Sequence, residues 1–370
     1  MTRSITKLTV LIIALLLAWH SSAHGTQGEW QVYTEVITES YDFTTDEPVI
    51  TLTNRYGNIE LTTSETSTAK VEITIKVEAK SKNRADQIFN RIDIDLSGGG
   101  SRLTAETSIQ NQNNNWTKKS ENFRINYKIH VPRQSKVRVE NKYGDIALAD
   151  VDNDLRVELK YGNGQIQNVG GELLLDLGYV KSFSAGDVTG NLTINAKHST
   201  LSIGDAQEVD MTSKYSIYQM GNMTDMTIEA KYDRFDIQSA GRITSEGKYN
   251  KFQIEKAEGF FIDTKYTHVT IGTLHNQGDF DTQHGSVEIK HLAAEFDQFI
   301  IDSEHTRYDI RPDGGYQLTV DAEYTKVDYP SGLDVSVRDR DRNEIYLEGS
   351  HPGIGNGRII AEMRHGRLEL

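Results

Sequence analysis

The sequence predicts an all-β fold, a parallel β-solenoid of about 17 to 19 residues per rung, and two observations carry that prediction. A short phrase recurs along the chain, as in NKYGDIAL from Asn141, AKYDRFDI from Ala230 and TKYTHVTI from Thr264. The composition, with 30 Gly, 5 Pro and no Cys, is typical of strands joined by many turns. A repeat this short does not accommodate a pair of helices, but it fits one turn of a right-handed coil of stacked strands.

An aromatic residue marks the same point in each repeat, and we define it as position 0. From Tyr143 onward, successive anchors lie 17 to 21 residues apart. The anchors are Tyr143, Tyr161, Tyr179, His198, Tyr215, Tyr232, Tyr249, Tyr266, His284, His305 and Tyr324, with outlying copies at Tyr56 and His365. Because neighbouring strands lie about 4.8 Å apart, we expect equivalent residues to form columns and the anchors to form an aromatic ladder.

The alternation around the anchor predicts which side chains form the core. Side chains of a strand alternate between its faces, so positions −6, −4, −2 and 0 are expected to share the inner face, as in Leu192, Ile194 and Ala196 before an anchor. Positions +3 and +5 are again apolar. Glycines such as Gly144 follow several anchors and suggest a corner residue with positive φ. This parity favours a structural role for the ladder, and the other interpretation is a ribbon on which a sugar or another ligand stacks.

The outward positions carry two charged columns. Position −3 is mostly acidic, as at Glu229, and position −1 is mostly basic through the first two thirds of the repeats, as at Lys231. Like charges stacked about 4.8 Å apart repel, and an opposite column two residues away relieves that repulsion. The simplest interpretation is therefore that the acidic and basic columns neutralise each other. The functional interpretation is that the lysine stripe binds an anionic glycan.

Towards the C-terminus the acidic column is predicted to lose its basic neighbours, because position −1 becomes acidic there and the anchors become histidines. This acidic patch is the candidate ligand-binding site, and it comprises Asp281, His284, Asp302, Glu304, His305, Asp321 and Glu323. Stacked carboxylates repel unless they are protonated or bridged by a cation. The patch is thus either a divalent cation site or a solvated acidic face, and no other cofactor is indicated.

The remaining segments suggest an exported protein. Residues 1–23 are typical of a signal peptide, with Arg3 and Lys7 before an apolar run and Ala23 at the cleavage site. We expect residues 28–135 to hold a first rung plus an antiparallel β insertion that caps it, residues 136–330 the repeats, and residues 331–370 a cap hairpin and a last rung. No later segment is long and apolar enough to span a membrane. The expected location is the periplasm, the outer-membrane surface or the exterior.

Charge and motifs narrow the classes of function. The formal charge of −14 disfavours nucleic acid as a partner. The sequence has no phosphate-binding glycine loop, no His-Glu-x-x-His and no Gly-x-Ser-x-Gly, and its carboxylates fall on the repeat. A β-helical polysaccharide lyase or glycosidase remains the alternative to a non-enzymatic role. Such an enzyme would need acids gathered on one face, and the stretch from Asp302 to Glu323 is the only candidate.

The phrases Asn54–Leu61 and Asn141–Ile146, together with the ending Gly355–Leu370, resemble the putative adhesin families of exported bacterial proteins, among them the head GIN domain group. The resemblance implies a parallel β-solenoid at the cell envelope and supplies no catalytic residues. The middle repeats depart from the pattern, because they often lose the turn glycine and gain a tyrosine column. The expected function is a non-enzymatic adhesion or scaffold module whose partner is an envelope protein or an extracellular glycan.

Overall fold

A computed structural model describes residues 29–110 and 122–370 of the chain. These residues form 27 strands and one helix, and the strands belong to one hydrogen-bonded sheet. The prediction of an all-β fold is confirmed. No helix in the described ranges is long and apolar enough to cross a membrane. The predicted signal peptide, residues 1–23, lies outside the described residues.

The strands and the helix have the following bounds. They are β1 (Gln31–Asp42), β2 (Val49–Arg55), β3 (Ile59–Ser64), β4 (Thr68–Ala79), α1 (Lys82–Phe89), β5 (Ile92–Gly99), β6 (Arg102–Ile109), β7 (Asn122–Pro132), β8 (Lys136–Lys142), β9 (Ile146–Leu148), β10 (Leu155–Lys160), β11 (Gly164–Ile166), β12 (Leu173–Gly178), β13 (Phe183–Ala185), β14 (Leu192–Lys197), β15 (Thr200–Ile203), β16 (Ala206–Lys214), β17 (Ile217–Lys231), β18 (Arg234–Lys248), β19 (Lys251–Lys265), β20 (His268–Leu292), β21 (Gln298–Pro312), β22 (Tyr316–Glu323), β23 (Lys326–Asp328), β24 (Asp334–Asp341), β25 (Glu344–His351), β26 (Gly357–Arg364) and β27 (Arg367–Glu369).

Through the repeats, strands pair in parallel and equivalent residues lie side by side. Leu155 of β10 pairs with Val137 of β8 on one side and with Leu173 of β12 on the other. The same register continues from β12 through β19. It shifts between β19 and β20, where Ala257 pairs with Leu274 but Gly259 pairs with Gln277. Each position of the repeat is therefore a column in the structure.

The core runs the length of the stack. Positions −6, −4 and −2 are buried as predicted, for example at Leu192, Ile194 and Ala196, and so are positions +3 and +5. At position +3 the rings of Tyr218 and Phe235 stack inside the protein with their centroids 5.0 Å apart. Burying a large apolar side chain stabilises the fold by about 1.5–3 kcal/mol. Since the chain has no cysteine, this continuous apolar interior is the main source of cohesion.

The N-terminal part adds an antiparallel layer to the stack. β4 pairs antiparallel with β1 and β7, and β5 pairs antiparallel with β6. β6 and β7 then join the first repeat in parallel, through β2 and β3. This part also holds α1, which is capped by Ser81 and buries Ile88 and Phe89.

The last repeat in the sequence does not form the end of the stack. β26 pairs in parallel with β21 on one side and with β22 on the other, so the order in the stack is β21, β26, β22. β25 then covers the far edge of β22, and β24 pairs with β25. The order of the anchors in the sequence would place His305 and Tyr324 in adjacent layers, but the layer of β26 lies between them. The β24–β25 hairpin covers the outer edge of β22, so β26 is accommodated at the inner edge, between β21 and β22.

We predict that paired cysteines will report this layer order. Cα atoms bridged by a disulfide are usually 4.4–6.8 Å apart, about one strand spacing. Asp302 pairs with Glu362, and Glu362 pairs with Asp321. The variant Asp302→Cys/Glu362→Cys should therefore cross-link on mild oxidation, as read by non-reducing electrophoresis and peptide mass spectrometry.

The control is Asp302→Cys/Asp321→Cys, whose positions are two layers apart. Since the chain has no native cysteine, it should stay reduced within the molecule. Efficient cross-linking of the control, with none in the first variant, would contradict the intercalated position of β26.

Candidate functional site

The aromatic anchors share a backbone conformation that is uncommon for large side chains. All thirteen have φ between 48° and 63°, in the left-handed region. This conformation costs about 1–2 kcal/mol for a residue with a Cβ atom. The prediction that the glycine after the anchor has the positive φ is wrong. Gly144 instead allows close approach between layers, because a Cβ atom there would lie 1.9 Å from the carbonyl oxygen of Gly57.

The left-handed corner also turns the rings outward. Tyr143 is 44% exposed and Tyr324 is 54% exposed. The expectation that position 0 shares the inner face is therefore wrong, since the alternation of strand side chains does not continue through a residue with positive φ. The anchors form a ladder at a surface corner rather than in the core.

The rings of the ladder stack in one continuous column. Consecutive ring centroids are 4.7–5.2 Å apart and the ring planes meet at 2–15°. The order in the column is Tyr56, Tyr143, Tyr161, Tyr179, His198, Tyr215, Tyr232, Tyr249, Tyr266, His284, His305, His365 and Tyr324. At strand spacing, thirteen rings extend over about 60 Å.

Stacking determines what the ladder can offer to a ligand. Each interior ring has its two faces covered by the rings before and after it, so those faces are closed to a sugar or a planar ligand. The exposed parts are the ring edges. The hydroxyl groups of the nine ladder tyrosines make no hydrogen bond to any residue within the described ranges. The ladder thus presents a row of unpaired hydroxyl groups, and the interpretation as a sugar-stacking ribbon is not favoured.

A second ladder, of buried polar side chains, lies directly behind the aromatic one at position +1. The amide of Ser199 donates to Ser216 Oγ over 3.2 Å, and the amide of Asp233 donates to Asn250 Oδ1 over 3.0 Å. The amide of Ser216 donates to Asp233 Oδ1. These bonds satisfy backbone donors that the corner buries. The polar ladder was missed at the sequence level, although its signal is the run of Ser, Asp, Asn and Thr where other repeats have glycine.

The basic column at position −1 lies beside the aromatic ladder and remains largely unneutralised. Lys197, Lys214, Lys231, Lys248 and Lys265 pair in register from β14 to β19 and are exposed. Across the described part of the chain, none of these five ammonium groups lies within 4 Å of a carboxylate oxygen.

The predicted pairing of the acidic and basic columns is seen as a direct contact at Lys160, whose Nζ is 2.6 Å from Glu158 Oε1. Elsewhere the ammonium groups associate with the ladder, as at Lys214 and Lys248, which lie 5.2 and 6.0 Å from the ring centroids of the following tyrosines. Two ammonium charges one strand spacing apart repel by about 1 kcal/mol in water.

The register brings the predicted acidic patch together in part. Asp281, Asp302, Glu362 and Asp321 are successive members of one column. Burial raises the pKa of the Asp281 carboxyl, and the nearby charges of Asp263 and Asp302 raise it further.

The imidazoles of the patch belong to the exposed ladder. His284 and His305 stack with centroids 4.7 Å apart, and His305 and His365 with centroids 4.8 Å apart. Glu304 and Glu323, the remaining members, are both at position −1 on β21 and β22.

Single basic residues nevertheless lie beside these carboxylates. Arg364 of the intercalated strand pairs with Glu304 on one side and with Glu323 on the other. His305 Nε2 is also 3.6 Å from Glu304 Oε1. Within the described ranges, no three His, Asp or Glu side chains converge closely enough to hold a metal ion. The arrangement therefore supplies no preformed donor set for a divalent cation.

The structure shows an open groove at another part of the surface. It has a volume of about 310 Å³ and is lined by residues that include Val49, Lys136, Arg138 and Leu155. These residues belong to β2, β8 and β10, near the N-terminal end of the stack. The stretch from Asp302 to Glu323, which was the candidate for catalysis, does not contribute to this groove.

Comparisons with known proteins give only distant likenesses. No protein family model and no curated protein matches the chain. Among solved structures, a putative cell adhesion protein from Clostridium sporogenes aligns with 9% identity and a TM-score of 0.18, over 92% of this chain and 98% of that one.

A putative adhesin from Parabacteroides merdae aligns with 14% identity and a TM-score of 0.25, over 76% and 90% of the two chains. A putative lipid binding protein from Parabacteroides distasonis has 9% identity and a TM-score of 0.24, over 93% and 98%. These scores are too low to carry an argument about function, so the argument rests on the ladder and its flanking columns.

We predict that strain and stacking make opposing contributions at Tyr249. Its ring stacks on Tyr232 at 4.7 Å and on Tyr266 at 4.8 Å, and each aromatic contact is worth about 0.5–1.5 kcal/mol. Tyr249→Ala loses both contacts and keeps the strained backbone. Tyr249→Gly loses the contacts but relieves the strain, so its free energy of unfolding should exceed that of the alanine variant by about 1 kcal/mol.

Chemical denaturation followed by circular dichroism measures this difference. The control is Tyr249→Phe, which keeps the ring and should unfold like the parent chain. An alanine variant as stable as the glycine variant would contradict the account of corner strain.

We predict a pH effect from the buried Asp233. Burial raises the pKa of its carboxyl to about 6 from an ordinary value of 3.8. Between these two values the folded protein holds a proton that the unfolded chain has released, so the free energy of unfolding falls as the pH rises through this window. The free energy of unfolding lost in this window is not regained at neutral pH. Asp233→Asn should therefore stabilise the protein at pH 7.5 by up to about 3 kcal/mol, with little difference below pH 4.

Asn250 shows that an amide fits this ladder, since its Nδ2 donates to the carbonyl of Ala230 over 2.9 Å. The matched control is Asp236→Asn, an exposed position three residues later, on β18. Denaturant midpoints measured between pH 4 and pH 8 test the prediction. A stability difference for Asp233→Asn that does not grow with pH would refute it.

Proposed function

We propose that this chain is a non-enzymatic, exported adhesion or scaffold module that presents a stripe of side chains to an elongated partner. The observation that carries the proposal is the aromatic ladder, in which thirteen left-handed corner residues hold their rings in one exposed column. A non-glycine residue in this conformation costs free energy, and such strain concentrates at functional sites. A purely structural corner could use glycine or asparagine at lower cost.

The architecture supports a surface of this kind. We infer that the parallel layers form a β-solenoid, that the antiparallel strands of residues 31–132 cap its first edge, and that the β24–β25 hairpin caps the other end. β24 carries alternating charges at Arg338, Asp339, Arg340 and Asp341, all exposed. Charged edge strands discourage pairing with other chains. The free surface that remains is therefore the side of the stack rather than its ends.

The shape of the stripe favours a polymer or a protein over a small molecule. Small molecules bind in concave sites that bury most of their surface, whereas the ladder is an exposed corner about 60 Å long at strand spacing. A linear partner can contact many layers at once, and weak contacts then add up. The predicted signal peptide suggests that such a partner is a component of the cell envelope or of its surroundings.

We predict that the mature chain, residues 24–370, binds at least one envelope polymer or protein without converting it. The measurement is binding to an array of bacterial and host glycans and to solubilised envelope proteins, followed by product analysis for every ligand bound. A phenylalanine variant at Tyr161, Tyr179 and Tyr215 keeps the stack and removes three hydroxyl groups. Phenylalanine at Tyr33 and Tyr346, outside the ladder, is the control.

We expect the parent chain and the control to bind the ligand equally well and the ladder variant to bind it more weakly. Turnover of a polysaccharide would overturn the proposal in favour of the lyase or glycosidase. Absence of binding across both panels would remove its support.

A further inference from the structure

We infer that the segment of the ladder from His198 to Tyr266 binds a linear polyuronate, a polysaccharide with a carboxylate on successive sugars. This inference rests on the proposed function and names the chemical class of the partner. Five lysines at position −1 accompany this segment, one per layer. The stripe has defined ends, since its position −1 neighbours are Gly178 on one side and Gln283 on the other.

Basic groups also lie on the other side of the ladder. At position +2, Arg234 and Lys251 pair in register and are exposed. Neither side chain lies within 4 Å of a carboxylate oxygen in the described part of the chain. Tyr232 and Tyr249 are therefore each flanked by one cation before and one after them in the sequence. An anionic chain lying along these rings would meet positive charge on both sides.

The tyrosines supply the second element of recognition. Four tyrosines of this segment are exposed, and their hydroxyl groups have no hydrogen-bond partner among the described residues: Tyr215, Tyr232, Tyr249 and Tyr266. A phenol hydroxyl both donates and accepts a hydrogen bond, so it can pair with the hydroxyl groups and ring oxygens of a sugar. Ammonium groups pair with carboxylates through charge-assisted hydrogen bonds. The two rows together match a polymer that carries both kinds of group on every unit.

The geometry selects a polysaccharide over a single-stranded nucleic acid. Proteins that bind single strands without sequence preference stack the bases on aromatic faces. Here the faces of Tyr232, Tyr249 and Tyr266 cover one another, with centroids 4.7–4.8 Å apart. Only edges and hydroxyl groups face the solvent. A uronate chain carries a carboxylate on each sugar, so it can offer carboxylates to the cations of several layers.

The acidic column limits where the polymer can lie. Glu229, Glu246 and Asp263 occupy position −3 of the same layers, on the far side of the lysines from the tyrosines. The polymer is therefore expected over positions −1, 0 and +2. The overall charge of −14 also opposes a polyanion at long range. Salt screens charges separated by more than about 8 Å at physiological ionic strength. The polymer is therefore attracted mainly by the lysine stripe that it contacts.

The experiment compares three variants of the mature chain by isothermal titration calorimetry with polygalacturonate. The stripe variant is Lys231→Gln/Lys248→Gln/Lys265→Gln, and its control, Lys128→Gln/Lys256→Gln/Lys290→Gln, removes the same charge at exposed positions elsewhere. The third variant is Tyr232→Phe/Tyr249→Phe/Tyr266→Phe, which preserves stacking. Fully methyl-esterified polygalacturonate, which has the same sugars without charge, dextran sulfate and single-stranded DNA are the comparison polymers.

The inference expects binding of polygalacturonate that weakens about tenfold or more in the stripe variant and stays unchanged in its control. It also expects a severalfold loss in the phenylalanine variant and no binding of the methyl ester. Equal effects of the stripe and control variants would overturn it. So would binding of dextran sulfate or DNA at least as tight as that of polygalacturonate.

These outcomes separate the inference from the proposed function. A chain that ignores polygalacturonate but retains another envelope polymer or protein keeps its adhesive role and loses this partner class. A chain that retains no polymer or protein at all loses both. Circular dichroism of each variant establishes that a loss of binding does not reflect a loss of fold.

Discussion

Parallel pairing in register is the constraint on which the rest of this structure depends. Because Leu155 lies between its equivalents Val137 and Leu173, every choice of residue at one position is repeated at strand spacing along the stack. An apolar position becomes a continuous core, and a charged position becomes a line of charge. The aromatic ladder is the extreme case, since a strained corner conformation is repeated in thirteen layers and stacking offsets part of its cost.

A column of equivalent positions also shows which residue fits its environment poorly. Asp233 occupies the buried polar ladder, where the neighbouring layer uses Asn250. The amide supplies the same acceptor oxygen without a charge, whereas burial raises the pKa of the Asp233 carboxyl to about 6. On the outer face the five lysines from Lys197 to Lys265 make no ion pair within the described residues, although acidic residues lie two positions away. Along this part of the stack, opposite charges are therefore arranged as separate stripes rather than as pairs.

The sequence predicts the layers better than it predicts the site. Alternation at Leu192, Ile194 and Ala196, together with the spacing of the anchors, indicates both the strands and their stacking, because both depend on local pattern. The direction of the rings cannot be read from that pattern, since a single residue with positive φ reverses the parity. The position of β26 is likewise hidden. A repeat in the sequence defines a layer, but it does not say between which layers the chain will place it.

The place of β26 has a consequence for how the molecule is made. The strands β21 and β22 are separated by only three residues in the chain, yet their hydrogen bonds to each other are replaced by bonds to a segment that begins some thirty residues later. A chain still emerging from the ribosome or from a translocation pore cannot complete this end until β26 is free to pair with both strands. Loss of β26 would therefore open an internal seam between β21 and β22 rather than shorten the stack, so this end closes only when a late segment of the chain arrives.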